Sequence, residues 1–308
     1  MLIRQKLLLR LLDFRGGSAS RLELIKLAFL LSKEYDAPQM TSFYDFVPYK
    51  FGPYSFGLAH ELENLCRDGA VTLPNEEQVS LTNRGKNACA EPIDARLLKN
   101  LTHLERSYGH FDQNRLITFV YEKHPWFTAL SQFADKRKAD LVTAPARNYT
   151  IGYQNFQIDG LLNNLLKNGI RRLLDTRSNP VSRRYGFHRS TLSRLCAKLN
   201  ISYEHLPSLG VPSDWRQELS TAQDYKTLFD RYETEILDSQ IPLLESTAAR
   251  MREIPSALLC RESDAQQCHR TILANRLRDL NKMPVVNLCQ HDDDVEIPIL
   301  KFNSILMK

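Results

Sequence analysis

The sequence predicts an α/β protein, a largely parallel sheet with helices on both faces, preceded by a mostly α-helical domain. Three observations predict it. From Tyr149 onward, short apolar runs alternate with leucine-spaced amphipathic segments, as strands joined by crossover helices do. Before residue 90, helical spacing dominates and closes on one short hairpin. The 308 residues are long for one core and comfortable for two domains.

Composition narrows the classes. With 43% hydrophobic and 25% charged residues the chain is ordinary for a globular protein, which argues against disorder. A net charge of +5 permits an anionic partner without requiring one. The six cysteines include no C-x-x-C pair, and a chain of this size needs no disulfide staples. They read as reduced thiols of a cytoplasmic protein. The leucine-rich start, MLIRQKLLLRLLDF, is broken by Arg4, Lys6 and Arg10. No apolar stretch approaches the ~20 residues that cross a membrane, and no cleavage site follows, so an amphipathic first helix is expected.

Gly16-Gly17 stops that helix. Ser20 and Glu23 have capping-box spacing, and Leu24, Leu27, Ala28 and Leu31 predict a second helix to about Tyr35. In FYDFVPYKFGPYSFG, Pro48, Gly52 and Pro53 forbid a continuous helix, so an aromatic loop is expected. Ser55 caps a third helix carrying Leu58, Leu62 and Leu65 and ending at Gly69. AVTL and QVSLT read as hairpin strands around PNEE, and Thr82 caps a further helix through NRGK. Three helices, a hairpin and "LTNRGK" make residues 1–90 look like a winged helix, similar to modules of phage-associated and toxin–antitoxin proteins. Some winged helices bind DNA and others only proteins. The third helix carries Glu61, Glu63 and Asp68 beside His60, Asn64 and Arg67, less positive charge than a recognition helix wants. Residues 91–147 read as a helical connector, with ADKRKAD a solvated basic face and TAPARN the linker.

Residues 148–308 read as the α/β domain. Strands are expected at NYTIGY, IRRLLDTR, ISYEHLP, SALLCRE and MPVVNLCQ, with helices between them. The alternation predicts a Rossmann-like sheet, whose ligands sit beyond the carboxyl ends of the strands. There the strand Ile170–Leu174 delivers Asp175 and Arg177, Ile201–Tyr203 delivers His205, and Ala257–Leu259 delivers Cys260 and Glu262. A helix expected from near Ser263 carries Cys268, His269 and Arg270 in its early turns, where free N–H groups favour an anion.

The segments TIGY, LLDTRSNPVSRRYGF, YEHLPSLG and ALLCRESDAQQCHR closely resemble the domain-of-unknown-function 488 family. Asp175, Arg177, Pro180, Ser182, Arg183, Gly186 and Phe187 match its first motif, and Tyr203, His205, Pro207, Leu209 and Gly210 its second. Cys260, Glu262, Cys268, His269 and Arg270 match the third. Val211 stands where the family usually has a second glycine. The resemblance implies an α/β fold and a shared polar site, and it implies no particular reaction.

Two readings of these residues stay open. In the functional one, Arg177, Arg183 and Arg270, with Ser182 and Tyr203, hold a phosphate-bearing ligand, while Asp175, His205, Glu262 or His269 supply acid–base chemistry. Cys268 near a helix start is a candidate nucleophile, although the C-x-x-x-x-x-R loop of tyrosine phosphatases is absent. In the structural one, Asp175 pairs with Arg177 and both cysteines pack a core. Seven residues separate Cys260 from Cys268 across a strand and a helix, not on a compact knuckle, so no metal is expected. Neither is a cofactor. The partner expected is nucleic acid (DNA) or a nucleotide, with no membrane, and a homodimer is compatible. The function expected is processing of nucleotides or nucleic acid by a hydrolase-type enzyme in DNA repair, modification or phage defence. The alternative is a non-catalytic DNA-binding regulator or ligand sensor.

Overall fold

Leu7, Leu8, Leu9, Leu11 and Leu12 have no exposed surface, and they seed the first core from α1 (Ile3–Phe14). The computed structural model describes residues 1–35, 37–216 and 219–289; residues 290–308 of the expected α/β domain lie outside them. Gly16 and Gly17 turn the chain at φ of 70° and 86°. β1 (Ser18–Ser20) leads into α2 (Arg21–Glu34), and Ser20 and Glu23 close the expected capping box. After the short α3 (Ala37–Met40), the expected aromatic loop holds an antiparallel ribbon, β2 (Val47–Tyr49) against β3 (Gly52–Tyr54). Both strands of a two-stranded ribbon are edges, so the N–H groups missing at the paired prolines 48 and 53 deprive no further strand of a donor. Lys26 of α2 stitches the ribbon down: its buried ammonium donates to the carbonyls of Phe51 and Pro53, and burial pulls its pKa down to about 7.

Ser55 caps α4 (Phe56–Arg67), which buries Phe56, Leu58, Leu62 and Leu65. β4 (Val71–Thr72) and β5 (Gln78–Leu81) form the expected hairpin, and β1 adds to β5 in a three-stranded antiparallel sheet. Thr82 caps α5 (Asn83–Ala90). The helices expected as a connector, α6 (Ala95–Tyr108) and α7 (Gln113–Lys123), do more than connect. Their Leu97, Leu101, Leu104, Leu116 and Val120 complete the core begun by α1 and α2.

The carboxy-terminal half alternates as its sequence predicts. In order come β6 (Asn148–Gly152), α8 (Ile158–Lys167), β7 (Arg172–Asp175), α9 (Arg189–Lys198) and β8 (Ser202–His205). Then follow α10 (Ala222–Arg231), α11 (Ile241–Glu253), β9 (Ser256–Cys260), α12 (His269–Asn281) and β10 (Val285–Leu288). The sheet order is β10-β6-β9-β7-β8, and every neighbouring pair is parallel. One face packs on α8 and α9 through Leu161, Leu162, Leu165, Leu192 and Leu195. The other packs on α10, α11 and α12 through Leu228, Leu244, Met251, Leu273 and Leu277. Each fully buried leucine here contributes about 1.5–3 kcal/mol of transfer free energy. Between β8 and β9 the expected helix is not continuous: α10 runs into a π turn at Tyr232–Leu237 before α11.

The halves share a seam. Val47 and Phe56 of the first half are buried in the second half's core. The buried Asp159 carboxylate of α8 accepts from Ser55 Oγ at 2.9 Å and from the Phe56 and Gly57 amides, both at 2.8 Å. It therefore caps α4 from the other half of the chain, where unpaired N–H groups welcome an anion. His60 of α4 stacks on Tyr185 with ring centroids 3.9 Å apart. Among the described residues no helix is long and apolar enough to cross a membrane.

Candidate functional site

Strand register sets the geometry of the rim. Gly152 pairs with Cys260, and Asp175 pairs with both Leu259 and His205, so the carboxyl ends of β6, β9, β7 and β8 stand side by side. Two glycines allow the loops beyond them to close in. A Cβ at Gly152 would lie 1.7 Å from the Glu262 carbonyl oxygen, and one at Gly210 would lie 2.5 Å from that of Thr176.

At the end of β7, Asp175 is fully buried and Arg177 nearly so. The guanidinium grips the carboxylate bidentately, Nε on Oδ1 at 2.8 Å and Nη2 on Oδ2 at 2.5 Å. Its remaining nitrogen donates to the Phe187 carbonyl at 2.9 Å and meets the Tyr153 hydroxyl at 3.3 Å. Tyr203 donates to Asp175 Oδ2 at 2.6 Å; burial and that carboxylate push its phenol far up. Burial opposes the charge on Arg177, and Asp175 outweighs burial, so the guanidinium stays protonated. His205 Nε2 lies 2.8 Å from the Arg177 carbonyl oxygen. The donors of Arg177, expected to hold an anion, are thus occupied inside the protein. Arg183 is exposed on the loop after β7, and Ser182 Oγ accepts from the Arg184 amide at 3.1 Å, shaping that loop.

The end of β9 is built differently. The helix expected from near Ser263 begins instead at His269, with Cys268 as its N-cap. Residues 261–268 form a loop that folds back, because buried Arg270 donates from both terminal nitrogens to the carbonyls of Glu262 and Ser263. Arg270 is therefore a loop clamp, not an exposed anion ligand. The fold-back overturns the spacing argument against a metal. The ligand atoms of Cys260, Cys268 and His269 all lie within 4.8 Å of one another. Cys260 Sγ and Cys268 Sγ stand 3.0 and 3.1 Å from the same Glu262 oxygen, Oε2. Cys260 Sγ is 3.5 Å from His269 Nδ1.

Arg216, on the turn Ser213–Arg216, reaches Glu262 Oε1 at 3.1 Å and His269 Nδ1 at 3.2 Å. On the far side of the ring, Thr176 Oγ1 donates to the Leu259 carbonyl at 3.0 Å and faces His269 Nε2 at 3.5 Å. A hydroxyl whose proton points elsewhere accepts, so the ring proton belongs on Nε2 and the Nδ1 lone pair faces the sulfurs and Arg216. Burial alone would push Cys260 up. The Cys268 hydrogen bond, His269 and the Arg216 charge reverse this and hold it well below the ordinary thiol range. Burial and the Cys260 charge push Cys268 well up, and they also raise Glu262.

Two hollows open at this rim. One, of about 480 Å³, is lined by Ser178, Asn179, Ser208, Gly210, Ser213 and Gln240 among others. The second, of about 240 Å³, is lined by Arg216, Arg261, Glu262, Gln267 and His269, with Tyr225 and Phe229. His269 alone of the three residues Arg177, His205 and His269 faces one of these two hollows.

Residues 157–277 match the model of a family described as domain of unknown function DUF488. The span contains every motif residue from Asp175 to Arg270 and most of the α/β domain, but not β6 or β10. No curated protein and no solved structure matches the chain. Within the DUF488 segment, Thr176, Arg216 and Arg261 are contributors that sequence reasoning did not single out. Thr176 lies inside the D-x-R motif at its free position, which was a usable signal. Arg216 lies in a loop with no periodicity, and nothing local marks it.

Proposed function

We propose that the α/β domain binds a small phosphate-bearing anion in the hollow beside Glu262 and His269 and processes it as a hydrolase-type enzyme. The lining carries this reading. Arg216 and Arg261 supply two positive charges against one carboxylate, and His269 with Glu262 supplies acid–base groups within the same hollow. The larger hollow offers hydroxyl and amide groups but no titratable side chain, so it serves binding at most. Nucleotides fit the chemistry: a phosphate meets the guanidinium groups, while Tyr225 and Phe229 offer aromatic surface to a base.

The amino-terminal half is read as a winged-helix-like module, supported by its element order and by β1 closing the β4–β5 hairpin into one sheet. Its contacts favour docking over DNA reading by α4. Asp159 holds the start of that helix, Tyr185 covers His60, and Glu61 is buried on Arg4 and Gln5. A second reading, a ligand sensor, draws on the same contacts. Tyr185 sits on the loop after β7, so ligand-driven movement of that loop would be felt at α4.

Titration calorimetry with phosphate and a panel of nucleoside mono-, di- and triphosphates tests the site. At least one ligand binds, and Arg216→Ala weakens it ~10–100-fold, as loss of a charged hydrogen bond does. No binding, or equal binding by the variant, rejects the site. Mass spectrometry of the incubated panel separates the two readings: product supports the enzyme, binding without product the sensor.

A further inference from the structure

The four side chains at the end of β9 are more than a hydrogen-bonded cluster. Two sulfurs crowding one carboxylate oxygen is a poor solution for a partly buried charge, because an S–H is a weak donor and a thiolate is none. The same four groups are a good solution for a cation. We propose that Cys260, Cys268 and His269 Nδ1, with Glu262 Oε2 as fourth donor, bind a thiolate-preferring divalent metal, zinc by preference.

Three observations carry it. First, the separations fit. Two donors at tetrahedral angles on zinc, one sulfur at ~2.3 Å and one nitrogen at ~2.0 Å, lie about 3.5 Å apart. The Cys260 Sγ to His269 Nδ1 distance is 3.5 Å. The carboxylate oxygen, 3.0 and 3.1 Å from the two sulfurs, needs only a small outward shift. Second, the histidine is already oriented. Its Nε2 faces Thr176 Oγ1, which is itself fixed on the Leu259 carbonyl, so the lone pair of Nδ1 points toward the sulfurs. An outer partner that fixes the tautomer is the usual companion of a metal-bound imidazole. Third, the charge closes. Two thiolates, one carboxylate and a divalent cation leave one negative charge, and Arg216 already sits on Glu262. Binding releases to solvent the protons that the two sulfurs and Glu262 still hold and takes the Nδ1 lone pair from Arg216, which keeps its bond to Oε1. Sulfur and imidazole donors together select zinc over magnesium or calcium.

The inference does not rest on the anion reading: with the metal bound, His269 and Glu262 hold it and leave the acid–base work, and a failed nucleotide titration leaves the metal site standing. Its test is cobalt substitution of the full chain after treatment with chelator and reductant. Wild type takes up about one Co²⁺ with a thiolate-to-cobalt charge-transfer band, and zinc displaces it. Cys260→Ser and Cys268→Ser lose affinity by more than the ~10–100-fold that loss of an outer-shell partner costs, while Cys289→Ser, an exposed thiol outside the cluster, keeps it. Absence of the band in wild type overturns the site, as does a band that survives both serine variants. If those variants do not fold by circular dichroism, X-ray absorption of the zinc-loaded wild type decides. Two sulfurs at ~2.3 Å with nitrogen or oxygen at ~2.0 Å uphold the site, and a shell without sulfur sinks it.

Discussion

Asp175 and Glu262 stand at the ends of neighbouring strands, and they keep opposite company. Asp175 meets strong, matched donors: a bidentate guanidinium and a phenol. Its partner Arg177 is in turn occupied by a carbonyl and a second phenol, so the network closes on itself. Glu262 meets two sulfurs on one oxygen and a part-exposed arginine on the other, beside an open hollow. The contrast teaches how to sort polar clusters at a sheet rim. Charge and geometry that cancel internally build the rim. Soft donors that converge on one point, next to space, leave chemistry to spare.

The comparison breaks first on stability. Asp175→Ala leaves a buried guanidinium without its counter-charge, and the expected cost is about 3–5 kcal/mol in denaturant unfolding. A loss below ~1 kcal/mol would return Arg177 to the pool of anion ligands. Tyr203→Phe is a finer probe of the same network. Removing one hydroxyl that donates to a carboxylate is expected to cost about 1.5–3 kcal/mol while preserving the fold by circular dichroism. The smallest effect sharpens the other side. Glu262 has its pKa raised by burial and by Cys260, so the folded chain holds its proton at higher pH than the unfolded chain does. Its contribution is complete below the ordinary carboxylate range, about 4.3, and fades as pH rises toward the raised value. In chelator-treated protein, Glu262→Gln should flatten that part of the stability–pH curve. An unchanged slope would show Glu262 to be as solvated as any surface acid.

Much of this was legible beforehand, for identifiable reasons. The strands and helices from Tyr149 on declare themselves because apolar periodicity is a local signal, and Ser20, Ser55 and Thr82 cap helices by chemistry written within three residues. The three motifs do gather at the strand ends, as an all-parallel sheet requires. What was hidden is non-local. Spacing along the chain places Cys260 and Cys268 apart, while Arg270 folds the loop so that both reach one carboxylate. Arg177 and Arg270 read as free charge, yet each finds its partners in the interior. Lys26 and Asp159 sit within apolar helical faces, where a charged letter gives no sign that its acceptors or donors come from another element.

The Asp159 clamp bears on how this chain can be cut or recombined. The carboxylate that finishes a helix lies about a hundred residues along the chain, in the half that follows it. The span 157–277 keeps the clamp but omits the strand lying between β9 and β10. A fragment made to those limits would carry an anion with nothing to hold and a β9 edge with no neighbour. The smallest stretch that keeps its cap and its strand partners is therefore wider than the stretch that is recognisable by its letters.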